Sequence, residues 1–266
     1  CRVIKSTTSI ESVPQNVYQM LVMVFGGGAE PSIYSDPGES VRWGTPLAKL
    51  VMNFAMAFTA GSLVFAAFAG NTQEQKQLRN FAFISSSTWA VSAIAYFVLT
   101  YVSAAGVALS FTNEFSNGLW FFATEIELGT LLAWNLAGAV LVSFLTLAFS
   151  SRAWLAITAA ISLAALYPLA ESGHASSDVG HALAVNSMLM HLVGISVWVG
   201  GLAALYLVRN QQREVELTKR FSTLALISFL LVSVSGLTAG YIRLYSPQDL
   251  FSNYGFLLLA KATLLV

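Results

Sequence analysis

The chain has 266 residues, with 13 basic and 13 acidic side chains, 10% charged and 56% hydrophobic residues, and a mean hydropathy of +0.68. Soluble domains average about 25% charged residues, so this composition excludes an ordinary soluble globule, a disordered tail and a nucleic-acid binder with a basic face. What remains is an all-α polytopic transmembrane helix bundle embedded in a lipid bilayer, with room for about seven spans of roughly 20 residues each; the one cysteine makes no internal disulfide.

Cys1 stands where a Met is usual, and Val266 falls inside an apolar run. A helix cut in mid-membrane leaves backbone groups without partners, so the chain reads as a fragment of a longer protein. A lipidated mature N-terminus at Cys1 is the alternative, with no signal sequence to support it. Residues 1–45 read as an N-terminal piece and an outward loop, and 46–266 as the transmembrane domain. The apolar piece MLVMVFGGG at 20–28 is too short to count as a span.

The spans are the charge-free runs. Lys49 to Glu74 brackets 24 uncharged residues, Arg79 to Glu114 brackets 34, and Glu127 to Arg152 brackets 24. Arg152 to Glu171 brackets 18, Asp178 to Arg209 brackets 30, and Arg220 to Arg243 brackets 22. A seventh run starts near Asn253. In lipid only helices satisfy their own backbone over such lengths.

Orientation follows from the connections. Those at 71–80, at Arg152 and at 208–220 hold seven basic residues, Lys76, Arg79, Arg152, Arg209, Arg213, Lys219 and Arg220. The alternate connections at 107–127, 171–181 and 243–253 hold only Arg243. The positive-inside rule places the first set in the cytoplasm. The outward set also includes 30–46, and Trp43, Trp120, Tyr241, Tyr245 and Tyr254 fall near the outer interface. Small residues at Ser196/Gly200/Ala204, Gly236/Gly240 and Ala66/Gly70 have the spacing that lets helices approach closely in lipid.

The chemistry concentrates in one place. All three histidines, His174, His181 and His191, lie within 18 residues. His174 and His181 flank an outward connection with Glu171 and Asp178. His191 falls roughly 13 Å into the next helix, near the bilayer midplane, where an ionisable side chain marks a candidate site. Met188 precedes it by three residues, on the same helical face as His181, and a thioether beside an imidazole suits a soft monovalent ion, Cu(I) above all. His181 and His191 are about 15 Å apart along a regular helix, too far to share one ion but suited to successive stations. Met52 and Met56 form a second thioether pair at i, i+4, at a depth similar to that of His191, with core filling as their plain alternative. A hydrogen bond to a neighbouring helix is the plain alternative for His191.

Glu125 and Glu127 read as solvated surface carboxylates, and Lys261 as an intramembrane lysine with a partner. The sequence holds no Walker loop, dinucleotide fingerprint, HExxH or GxSxG, and no nucleophile–base set, so it reads as a non-enzyme.

One stretch, 173–266, resembles the copper resistance D (CopD) family of bacterial inner-membrane proteins. The resemblance rests on His191 followed by Trp198-Val199-Gly200-Gly201, on Arg220-Phe221-Ser222, on Ser235-Gly236, and on Tyr254-Gly255 with Lys261. Upstream, Asp36-Pro37-Gly38, Arg42-Trp43-Gly44 and Pro46-Leu47 are similar to actinobacterial proteins in which a CopD-like half is fused to a CtaG-type cytochrome c oxidase assembly half. The resemblance implies a multi-pass bacterial plasma-membrane protein that handles copper. It also implies His174, His181 and His191 as copper ligands, with a periplasmic copper chaperone or cytochrome c oxidase subunits as partners. Copper transport is the first function this suggests. An oxidase assembly factor without transport activity is the second, and a haem-binding redox protein the third.

Overall fold

The computed structural model describes residues 38–172, 181–209 and 213–243. Among these residues are eight helices and no strand: α1 (Glu39–Phe68), α2 (Thr72–Ala105), α3 (Asn113–Glu125), α4 (Glu127–Ala148), α5 (Arg152–Ala164), α6 (Tyr167–Glu171), α7 (His181–Val208) and α8 (Glu214–Arg243). Six segments are long and apolar enough to cross a membrane: α1, α2, α4, α5 with α6, α7 and α8. They coincide with the six complete charge-free runs. The seventh run, Lys261, His174, Asp178 and residues 1–37 lie outside the described residues.

The helices outrun the charge-free stretches, because absence of charge marks where lipid begins rather than where helix begins. α1 starts at Glu39, inside the stretch expected to be an outward loop, and carries Arg42 paired with Glu39 at 3.8 Å on its first turn. α2 starts at Thr72, so Lys76 and Arg79 sit on a helix and not in a loop. A capping box fixes that start. Asn71 Oδ1 accepts from Glu74 N–H at 2.9 Å, and Glu74 Oε2 accepts from Asn71 N–H at 2.7 Å.

Two expectations change. The connection 107–127 is not all loop: after Gly106 ends α2 in the left-handed region (φ 62), Thr112 caps α3. At 13 residues, α3 is about 20 Å long, too short to cross. It lays Phe122 (1% exposed) into a cluster with Phe97, Tyr101 and Leu132 and leaves Trp120 on the outside, as an interfacial helix does. Glu125 ends α3 and Glu127 begins α4, both exposed. The fourth span is broken. Pro168 has no N–H for the Ala164 carbonyl, so α5 stops at Ala164 and the chain restarts as α6 at Tyr167.

α1 is the hub, packing against α2, α5 and α7, while α7 pairs with α8 and α2 with α4. Its tightest neighbour is α7. A Cβ at Gly61 would stand 2.5 Å from Gly200 Cα and from the Ser196 carbonyl oxygen; one at Gly200 would stand 2.0 Å from the Ala57 oxygen. The two backbones touch, with Ser196 and Ala204 of the same stripe buried. The pair Gly236/Gly240 behaves differently, since a Cβ at Gly236 meets nothing within 4 Å.

Three of the basic residues expected on the cytoplasmic side, Arg152, Arg213 and Arg220, meet at one end of the bundle. Arg152 donates to the Ala67 and Phe68 carbonyls at 2.8 and 3.3 Å, and Arg220 donates to Phe68 at 3.2 Å. Two cations thus meet the last carbonyls of α1, where the helix dipole is negative. Arg213 grips the Glu74 carboxylate at 2.5 and 2.6 Å, and also bonds Glu216 at 3.2 Å. Glu216 in turn pairs with Arg220 at 2.9 Å. Glu216 and then Glu74 hold the Arg213 guanidinium above its ordinary pKa. The ring ties the inner ends of α1, α2, α5 and α8 together.

Gly200→Leu is expected to cost about 1–3 kcal/mol or more by overpacking, read as a lower melting temperature in detergent by circular dichroism. Gly236→Ala is expected to stay within about 0.5 kcal/mol; equal losses at both positions would contradict the assignment of the α1–α7 contact.

Candidate metal route across the bundle

The Gly61–Gly200 contact sets the register of the two helices that carry the predicted ligands. α1 and α7 run in the same direction, since Phe68 at the end of α1 and the residues that follow Val208 meet at the arginine ring. Nine residues outward from the contact, about 13 Å along each axis, lie Met52 on α1 and His191 on α7. Met52 is 1% exposed and packs in the main core cluster, which also takes in Leu189, Leu192 and Val193 of α7. Nine residues are also two and a half turns, so the two side chains share a level but leave their helices away from the contact face, His191 toward α8.

His191 is anchored to α8. Its Nδ1 lies 3.1 Å from Ser235 Oγ. Ser235 Oγ itself donates to the Val232 carbonyl at 2.8 Å. A hydroxyl that donates to that carbonyl is left to accept from a ring N–H, so Ser235 and Val232 together orient the imidazole. A partner of this kind on one ring nitrogen holds the ring orientation of an imidazole. Ser187 reinforces the joint by donating to the Ser235 carbonyl at 2.8 Å.

Asn53, adjacent to Met52, belongs with them. It lies at i−4 and i−8 from Ala57 and Gly61, so it shares the α1 face turned to α7. Its Oδ1 is buried and has no hydrogen-bond partner among the described residues. An orphaned carbonyl oxygen at membrane depth suits a cation. The neutral N, S and O donors offered at this level fit a soft monovalent ion better than a hard divalent one.

One turn inward, Met56 (2% exposed) reaches a different group. Asn135 of α4 donates its amide to the Ala165 carbonyl at 3.1 Å and approaches Met56 Sδ at 3.8 Å, while its Oδ1 accepts from Trp89 Nε1 at 3.1 Å. His181 is the first residue of α7 and half-buried, at the outer end. Met188 is 41% exposed, outside the packed face of α7. Among the described residues no group of three or more His, Cys, Asp or Glu is placed to hold a metal.

Asn53 and Asn135 were not picked out from the sequence, and Ser235 entered only as part of the family resemblance, without a role. The signal for the first two was present: a side-chain amide inside a charge-free run is itself costly in lipid. Ser235 had none, because its partner is 44 residues away in the chain. Asn135→Leu is expected to cost about 1–3 kcal/mol for each of the Trp89 and Ala165 groups left unpaired, measured by unfolding in detergent; a change below about 0.5 kcal/mol would show the network to be incidental.

No solved structure matches this chain. The copper transport protein CutJ of Bacillus subtilis (strain 168) is 34% identical over 103 residues, a stretch that covers 36% of this chain and 19% of CutJ. The chain therefore spans about a fifth of the length of that curated relative. The family model described as copper resistance protein D-like, N-terminal domain, matches residues 39–185. It begins where α1 begins and ends in the second turn of α7, so it takes in Met52, Met56, His174 and His181 and stops before Met188 and His191. It lies mainly upstream of the 173–266 stretch that carries the resemblance in the sequence. With more than half of its residues matched, the chain belongs to the copper resistance protein D-like family.

Proposed function

We propose that the chain carries copper, as Cu(I), through a bacterial plasma membrane, acting as a permease and not as an enzyme. Histidines at the outer end, His174 and His181, take the ion first. It then passes to His191 on α7, to Asn53 Oδ1 and Met52 Sδ at the same level of α1, and on to Met56. Met188, on the outer surface of α7, stands beside this path.

The observation that supports this most is the joining of His191 to Ser235. The Ser235 hydroxyl orients the imidazole at bilayer depth, on the level of a thioether and of an amide oxygen that has no partner among the described residues. Neutral ligands carry a singly charged ion through a low-dielectric interior at less cost than they would a divalent one. In a longer protein, a periplasmic copper chaperone would supply the ion and cytochrome c oxidase assembly would be one destination.

The test is copper uptake by cells or vesicles bearing the protein. His191→Ala is expected to lower uptake at least about tenfold, and Ser235→Ala, which removes only the orienting partner, by about tenfold. His181→Ala is expected to raise the copper concentration needed for half-maximal uptake. Uptake and copper tolerance unchanged in the His181→Ala/His191→Ala double variant would refute the proposal. Oxidase loss on deletion that added copper does not rescue would favour an assembly role instead.

A further inference from the structure

The deepest polar cluster lies one turn inward of Met52, where α1, α2, α4 and α5 converge. Its centre is the Asn135 amide, 1% exposed, between Met56 Sδ at 3.8 Å and the Ala165 carbonyl at 3.1 Å. The Ala165 carbonyl is available because the fourth span is broken. Leu169 N–H, which would serve it in a continuous helix, bonds Leu166 instead at 3.1 Å. The Ala164 carbonyl loses its helical donor outright, since residue 168 is proline.

Broken helices at membrane depth are tolerated where the freed carbonyls find protein partners or an ion. Here lone pairs of a thioether and a peptide carbonyl, on different helices, converge on one NH2 group. That group is the positive end of the amide dipole, so the arrangement is electrostatically that of a small cation held by sulfur and oxygen. The two legs and the trigonal spread of the amide hydrogens put Met56 Sδ and Ala165 O about 6 Å apart. A cation bound about 2.3 Å from each needs roughly 4.6 Å. The unbranched Met56 side chain, with three rotatable bonds, closes that difference.

We infer that this cluster is an intramembrane station for a soft monovalent cation, with Met56 Sδ and the Ala165 carbonyl as ligands. The Asn135 amide is the neutral plug that occupies the position until the ion arrives. The inference rests on the copper reading above. Sulfur selects against hard cations, and no member of the cluster is charged, so one positive charge suits it better than two. When the ion enters, Asn135 turns its Oδ1 from Trp89 onto the ion, and the indole loses its acceptor.

Trp89 is therefore the reporter. The full chain in detergent is titrated with Ag(I), which has the charge and softness of Cu(I), and tryptophan emission and bound metal are both measured. A saturable emission change that Trp89→Phe lacks is expected. Met56→Leu, which conserves volume, is expected to weaken this binding tenfold or more without lowering the melting temperature by more than a few degrees. Asn135→Asp is expected to strengthen it by a similar factor, and His191→Ala to leave the Trp89 change in place. Met56→Leu with the parent's emission change and bound-ion count overturns the station, as does an equal emission change with Na(I). Ag(I) binding that depends on His191 but not on Met56 overturns the station and leaves the copper reading standing; a parent chain that binds no Ag(I) overturns both.

Discussion

Two glycines hold the centre of this bundle. Where Gly61 meets Gly200, the backbones of α1 and α7 touch with no room for a side chain on either helix. In lipid there is no hydrophobic drive to bring helices together, so close backbone contact and polar joints do that work. The contact fixes the axial register between α1 and α7. That register brings Met52 and Asn53 level with His191, although some 140 residues of chain separate them. The candidate ligands depend on it more than on any bond they make themselves.

A second constraint acts at the inner end. The last carbonyls of α1 have no helical donors, and Arg152 at the start of α5 and Arg220 on α8 supply them. Glu74 does double duty: it closes the capping box of α2 and receives Arg213 from the α7–α8 connection. The positive charges from which the orientation was read therefore also clamp these helix ends together. This is consistent with a 6% exposed Glu74 tolerated beside the bilayer, since its charge is fully matched.

The six spans were legible because their lengths depend on composition alone, and no tertiary contact is needed to exclude charge from about 30 Å of hydrocarbon. Helix ends were not legible to the same degree. α1 and α2 run on into charged sequence, and α3 is a short amphipathic helix whose apolar side faces Phe97, Tyr101 and Leu132, contacts that no local pattern announces. His191 stood out as an ionisable residue in an apolar run. Its anchor did not, because Ser235 lies on another helix. Equal spacing also misleads where facing is unknown: Met188 and His191 share one helical stripe, yet Met188 lies on its exposed edge.

The polar groups of the interior are hard to explain by stability alone. An apolar side chain of the right shape at Asn135, with a phenylalanine at Trp89 and a continuous fourth span, would satisfy the backbone without any buried amide. The sequence instead interrupts that span with Pro168 and places Asn135 opposite the break. The two levels of donors, at Met52 and at Met56, are four residues or about 6 Å apart along α1. Just inward of them α1 and α7 close on each other at Gly61 and Gly200. On the proposed route an ion at Met56 therefore has no way onward between α1 and α7. Met56 faces the other side of α1, where Asn135 of α4 and the Ala165 carbonyl of the broken fourth span lie.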